Sequence, residues 1–121
     1  MKTVLIIEDN QEIRENTSEI LELRGLKVIT SDNGNAGIAM AINRRPDIIL
    51  CDIMMPGLDG YEVIKQLKGN PITAPIPFIY ITASGEKSEV KMAIELGASG
   101  YIRKPFDVKE LTQAIDKFLR L

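Results

Sequence analysis

The chain reads as an α/β protein, a parallel sheet covered by helices on both faces, and three observations carry that reading. Five short apolar runs alternate strictly with five segments of helical spacing. The runs are nearly continuous in Val, Ile and Leu rather than interleaved with polar residues, the mark of strands buried on both sides. Each run also stops abruptly on polar or charged residues. The 121 residues are the size of one domain and can bury roughly two-thirds of the unfolded surface without disulfides or structural metal.

Thr3 to Ile7 is the first strand, cut off by Glu8, Asp9 and Asn10. Asp9 and Asn10 are both N-cap types for a helix carrying Ile13, Thr17, Ile20 and Leu21 and stopped by Gly25. Leu26 to Thr30 is the second strand, followed by a polar turn over residues 31–34. The inner stripe of the next helix is expected at Ala36, Ala39, Met40 and Ile42, with Arg44, Arg45 and Pro46 closing it. Asp47 to Cys51 is the third strand, ending on Asp52. Pro56 and Gly57 stand where a type II turn wants them, and Asp59 with Glu62 reads as a capping box for a helix carrying Ile64 and Leu67.

The fourth apolar run, Ile76 to Ile81, ends on Thr82, Ala83, Ser84 and Gly85, with Pro77 at its beginning rather than its middle. Val90, Ala93 and Ile94 mark a helix that stops at Leu96 and Gly97. Gly100 to Arg103 is a short fifth strand ending on Lys104 and Pro105. Asp107 and Glu110 cap the last helix, whose stripe is Leu111, Ala114, Ile115, Phe118 and Leu119.

Composition excludes several classes. There is no histidine, so His-based catalysis and His metal sites are absent, and the single cysteine, Cys51, makes no internal bridge. Cys51 reads as small core packing, and the methionines form no stripe. A net charge of −2 with interspersed signs gives no basic track for nucleic acid. The apolar N-terminal run is too short for a signal peptide or a membrane span. A cytoplasmic protein is expected.

Crossovers between parallel strands are right-handed, so all the strand C-termini open on one edge, and ligands bind there. That edge collects Glu8 and Asp9, Asp52, Thr82 and Lys104. The second strand leaves only Ser31 and Asp32, which places it at the sheet's margin. Three neighbouring carboxylates repel unless a cation joins them. An all-oxygen donor set suits Mg²⁺ (or Mn²⁺), and that ion with Lys104 brings the three acids to neutrality, ready for an anion. A phosphoryl group fits: Thr82 and Lys104 can contact its oxygens, and Asp52 is the available nucleophile, forming an acyl phosphate.

Taken together, Glu8-Asp9, Cys51-Asp52 with Met54-Met55-Pro56-Gly57 and Gly60, Thr82-Ala83, and Lys104-Pro105-Phe106 resemble the receiver domain of bacterial response regulators across essentially the whole chain, 1–121. The resemblance implies a flavodoxin-like, doubly wound sheet of order 2-1-3-4-5 with five helices, an arrangement for which a chemotaxis member of the family is a standard illustration. It implies that Asp52 is the phosphoacceptor, and that the metal is held by Asp9, Asp52, the Met54 carbonyl and, through water, Glu8. It implies that Thr82 and Lys104 contact the phosphoryl group, that Tyr101 rotates on activation, and that the Lys104-Pro105 bond is cis. Glu8 departs from the commoner Asp. Arg103 shares a strand face with Tyr101, away from the site.

The function expected is a phosphorylation switch rather than a turnover enzyme, fed by a histidine kinase or phosphotransfer protein. Moving an equilibrium from 1:99 to 99:1 takes about 5.5 kcal/mol, and the charge-assisted bonds of Thr82 and Lys104 supply roughly 1.5–3 kcal/mol each. The output surface is expected on the fourth helix, fifth strand and fifth helix, near Lys91, Glu95, Tyr101 and Arg103, acting on a downstream protein or forming phosphorylation-dependent dimers; otherwise the chain is a monomer. The chain ends at Leu121 soon after the last stripe, as a stand-alone receiver or a piece of a longer regulator.

Other readings compete. Asp52 could merely end a strand, Glu8 and Asp9 could cap a helix, Thr82, Lys104 and Tyr101 could be ordinary surface or strand residues. An aspartyl-phosphate phosphatase would carry a second Asp at the position of Met54, a flavin module would not gather acids, and a silent receiver scaffold would lack some of the matching residues.

Overall fold

A computed structural model describes residues 1–83 and 86–119. Its elements run β1 (Thr3–Ile7), α1 (Gln11–Leu23), β2 (Lys27–Ser31), α2 (Gly34–Arg44), β3 (Ile48–Asp52), α3 (Gly60–Lys68), β4 (Phe78–Thr82), α4 (Lys87–Glu95), β5 (Gly100–Arg103) and α5 (Val108–Leu119). Ser84 and Gly85, expected at the end of the fourth run, and Leu121 lie outside the described residues. All pairings are parallel and the order is β2-β1-β3-β4-β5, the flavodoxin-like topology.

Strand alternation divides the core. Leu5, Ile7, Ile49, Cys51, Phe78 and Tyr80 pack with residues of α2, α3 and α4. Val4, Ile6, Ile48, Leu50, Ile79, Ile81 and Ile102 pack with α1 and α5. Both faces are covered, which is why the inner strands β1, β3 and β4 carry no polar alternation. No helix among the described residues is long and apolar enough to cross a membrane.

Capping fixes where the helices begin. Asn10 accepts the Ile13 N–H at 3.0 Å, Asp59 the Glu62 N–H at 3.0 Å and Asp107 the Glu110 N–H at 2.7 Å. Asn10 therefore takes the cap, and Asp9 is left at the edge. Gly57 adopts φ +78°, the left-handed conformation of the third residue of a type II turn.

Four expectations are corrected. The inner face of α2 is Gly34, Gly37 and Ala41, with Ile38 and Met40 against the core, while Ala36 and Ala39 are exposed. The helix lies on the sheet through its glycines: a Cβ on Gly37 would sit 2.5 Å from Ile7 Cδ1. Gly34 belongs to that helix rather than to the preceding turn, and Ser31 closes β2. Ile94 faces solvent, since Ala93 alone of α4 is fully buried. The third and fourth strands begin at Ile48 and Phe78, slightly later than the apolar runs suggest.

Candidate functional site

The strand order reverses between β1 and β3, and the register there is decisive. Ile7 stands opposite Cys51, so the next residues, Glu8 and Asp52, emerge side by side. Across β3, Ile81 stands opposite Asp52, and Thr82 follows. Thr82 in turn stands opposite Arg103 on β5, so Lys104 leaves that strand at the same edge. Short parallel strands ending at one level thus bring together residues that are far apart in sequence.

Glu8, Asp9 and Asp52 each place a carboxylate oxygen within 4.8 Å of the others. Glu8 is fully buried and Asp52 is 5% exposed, whereas Asp9 faces solvent. The Lys104 ammonium lies 2.9 Å from Glu8 Oε1 and 3.2 Å from Asp52 Oδ2. Asp52 Oδ1 accepts the Met54 N–H at 3.1 Å. The Met54 side chain is 73% exposed.

The charges are not balanced by the lysine alone. Burial, reinforced by contact with Asp52 and opposed by Lys104, pushes the Glu8 carboxyl up to about 7. Burial works against the Lys104 ammonium, but the Glu8 and Asp52 carboxylates outweigh it and its pKa is raised. A clustered, oxygen-only set of carboxylates fits a hard divalent cation, and Glu8, Asp9 and Asp52 are able to coordinate one. The longer Glu8 side chain is fully buried and meets the Lys104 ammonium that also reaches Asp52.

Backbone geometry holds these groups in place. Gly60 opens α3 directly on the end of β3, its N–H donating to the Ile53 carbonyl at 2.9 Å. A Cβ there would lie 2.6 Å from Ile53 Cα and 2.7 Å from the Asp52 carbonyl oxygen. The Arg14 guanidinium donates to the Glu8 carbonyl at 2.9 Å. The Lys104-Pro105 bond is cis, and the Lys104 N–H donates to the Thr82 carbonyl at 2.7 Å.

Thr82 is buried, and its hydroxyl donates to Glu89 Oε1 on α4. Tyr101 is 47% exposed and stacks on Tyr80 with ring centroids 5.7 Å apart. Arg103 is exposed on the same face of β5. Lys91 and Glu95 are surface residues 4.0 Å apart on α4, and with Tyr101 and Ile94 they line a shallow depression. These four sit away from the acidic cluster. Beside the cluster, between α1 and the Pro105-Phe106 turn, runs an apolar groove of about 740 Å³ lined by Ile13, Ile20, Ala83, Lys104, Pro105 and Phe106.

Sequence reasoning missed Glu89, Tyr80 and Arg14. Arg14 did carry a signal, since a cation near a helix N-terminus opposes the dipole and so asks for a local partner. Nothing in the sequence marked Glu89.

Comparison with known proteins agrees with this geometry. The family model of the response regulator receiver domain matches residues 4–116. The phosphate regulon transcriptional regulatory protein PhoB of Pseudomonas aeruginosa is 39% identical over 119 residues, 98% of this chain and 52% of PhoB. The response regulator SaeR of Staphylococcus aureus is 37% identical over 119 residues, 98% of this chain and 51% of SaeR. The chain spans about half the length of these curated relatives. Among solved structures, the chemotaxis protein CheY4 of Vibrio cholerae has a TM-score of 0.94 at 27% identity, covering 98% of both chains. The receiver domain of the sensor histidine kinase PA1611 from Pseudomonas aeruginosa, which holds a magnesium ion in its active-site cleft, has a TM-score of 0.91 at 25% identity, covering 99% of this chain and 98% of that one. With the family model spanning nearly all of the sheet and its acidic edge, the chain belongs to the response regulator receiver domains of two-component signalling.

Proposed function

We propose that residues 1–121 form a receiver unit in which Asp52 accepts a phosphoryl group from a phosphohistidine on a histidine kinase or phosphotransfer protein. Receiver domains catalyse their own phosphorylation and dephosphorylation, so the protein is a switch and not a turnover enzyme. The observation that carries the reading is the convergence of Glu8, Asp9, Asp52 and Lys104 at the point where the strand order reverses.

In the transfer, an Asp52 carboxylate oxygen attacks phosphorus and the P–N bond of the donor breaks. The imidazole, protonated on its other nitrogen, leaves as the neutral ring, and an acyl phosphate remains on Asp52. Lys104, already 3.2 Å from Asp52 Oδ2, pairs with the phosphoryl oxygens, and the Thr82 hydroxyl donates to another. A Mg²⁺ or Mn²⁺ ion held by Glu8, Asp9, Asp52 and the Met54 carbonyl would neutralise charge on the transferring oxygens. The apolar groove beside Lys104 is a surface on which the donor protein can dock.

The output face is that of Lys91, Glu95, Tyr101 and Arg103. It meets a downstream protein or a second phosphorylated copy, with the unphosphorylated chain a monomer. No direct nucleic-acid contact is assigned to this domain, and a cytoplasmic setting fits a kinase-fed switch.

Incubation with a small acyl-phosphate donor and Mg²⁺ tests the assignment. One hydroxylamine-labile phosphoryl group is expected on the wild type and none on Asp52→Asn. An unmodified wild type under these conditions, or an equally modified variant, overturns it.

A further inference from the structure

We propose that Glu89 and Tyr80 are positioning residues for the Thr82 hydroxyl: Glu89 holds that hydroxyl away from the phosphoryl site, and Tyr80 receives the Glu89 carboxylate when the hydroxyl leaves. This rests on the reading of Asp52 as the phosphoacceptor.

The argument begins with a single proton. A threonine hydroxyl has one O–H to donate, and here it goes to Glu89 Oε1 in the first turn of α4. While that bond lasts, the proton is not available to an oxygen on Asp52. The acceptor is a carboxylate, so the bond is of the stronger, charge-assisted kind.

Tyr80 supplies the second half. It lies two residues before Thr82 on the same face of β4, is fully buried, and its Oη has no hydrogen-bond partner among the described residues. A buried hydroxyl left without an acceptor is unfavourable, and Phe would fill the same space without that cost. Burial, with the nearby Glu89 carboxylate next in effect, pushes the phenol up to about 12, so it remains a donor at ordinary pH. The anion that the phenol feels most is the one that Thr82 would release.

An exchange of Thr82 for Tyr80 as the donor to Glu89 keeps the carboxylate hydrogen-bonded in both states. Thr82 is then freed at little net loss, and the first turn of α4 is drawn toward the Tyr80–Tyr101 stack. The exchange thereby joins the phosphoryl site to the exposed face of Tyr101.

The test measures equilibrium affinity for beryllium fluoride with Mg²⁺, a phosphoryl mimic at a carboxylate, alongside the three-bond couplings that report the Thr82 χ1 rotamer. Glu89→Ala is expected to bind about threefold to tenfold more tightly than wild type, the factor a net hydrogen bond is worth. Its Thr82 rotamer is expected to become averaged in the unliganded protein, where the wild type shows one. Tyr80→Phe, which keeps the ring and the packing, is expected to bind more weakly. Both effects are expected to vanish in a Thr82→Val background, which a merely structural role would not cause. Wild-type affinity in Glu89→Ala, or effects that survive Thr82→Val, overturn the assignment of Glu89. Unchanged affinity in Tyr80→Phe overturns that of Tyr80. A wild type that binds no beryllium fluoride instead overturns the phosphoacceptor reading beneath both.

Discussion

Replacing Glu8 by Gln gives a stability experiment whose sign and size follow from the geometry. Glu8 is fully buried beside Asp52, and its carboxyl is pushed from 4.5 to about 7 by burial first and by Asp52 second, against the pull of Lys104. Between those two pH values the native state binds a proton that the unfolded chain has lost. The contribution of Glu8 to stability is therefore complete below 4.5 and is lost as pH rises through about 7. At about 1.4 kcal/mol per pH unit, the loss comes to about 3 kcal/mol. Glu8→Gln does not titrate, so in chelator-treated protein its stability relative to wild type should climb by about 3 kcal/mol between pH 4.5 and pH 7.5. At this chain length that is roughly a 10 °C difference in Tm. Urea melts at closely spaced pH values measure the difference curve, in which other titrating groups cancel. Added Mg²⁺ should then reverse the order at pH 8, stabilising the wild type by about 2.7 kcal/mol at a hundredfold excess over Kd and the variant by less. A flat difference curve, or a variant that loses stability relative to wild type as pH rises, would refute the account of a carboxyl whose pKa is raised by burial.

Other outcomes are expected on the same grounds. Lys104→Ala removes the cation between two buried carboxylates and should cost the metal-free protein about 3–5 kcal/mol at pH 8. The cost should be smaller at pH 6, where Glu8 can take a proton, and denaturant melts at the two pH values check it. Gly60→Ala puts a Cβ 2.6 Å from Ile53 Cα; a loss of about 1–3 kcal/mol and weaker Mg²⁺ binding by calorimetry are expected. Met54→Asn exchanges an exposed apolar side chain, on the residue whose N–H donates to Asp52 Oδ1, for one that can hold water, so the phosphorylated form should lose phosphate several-fold faster. Phosphate release after removal of the donor measures that rate.

The sheet was legible because burial leaves a strong pattern: all five runs became strands, β1 and β5 with the expected bounds and the other three displaced by a residue or two. The caps at Asp59 and Asp107 were readable because capping is local. Residues at strand ends converge automatically in a parallel sheet, so Glu8, Asp9, Asp52, Thr82 and Lys104 could be gathered before any coordinates. Features that depend on how closely a helix approaches were not readable. The stripe of α2 was misplaced because alanines looked like the inner face, while glycines let the helix settle onto Ile7. The contrast between buried Glu8 and exposed Asp9 depends on how the chain turns after β1. The Thr82–Glu89 bond depends on where α4 sits over β4, which no local pattern encodes.

Borohydride trapping tests the central claim most directly. Reduction of an aspartyl phosphate converts that residue to homoserine, and peptide sequencing then locates it. After treatment with an acyl-phosphate donor and Mg²⁺, the account predicts homoserine at position 52 alone. Homoserine at position 9 or 59, or none anywhere in a folded, Mg²⁺-loaded protein, would contradict it.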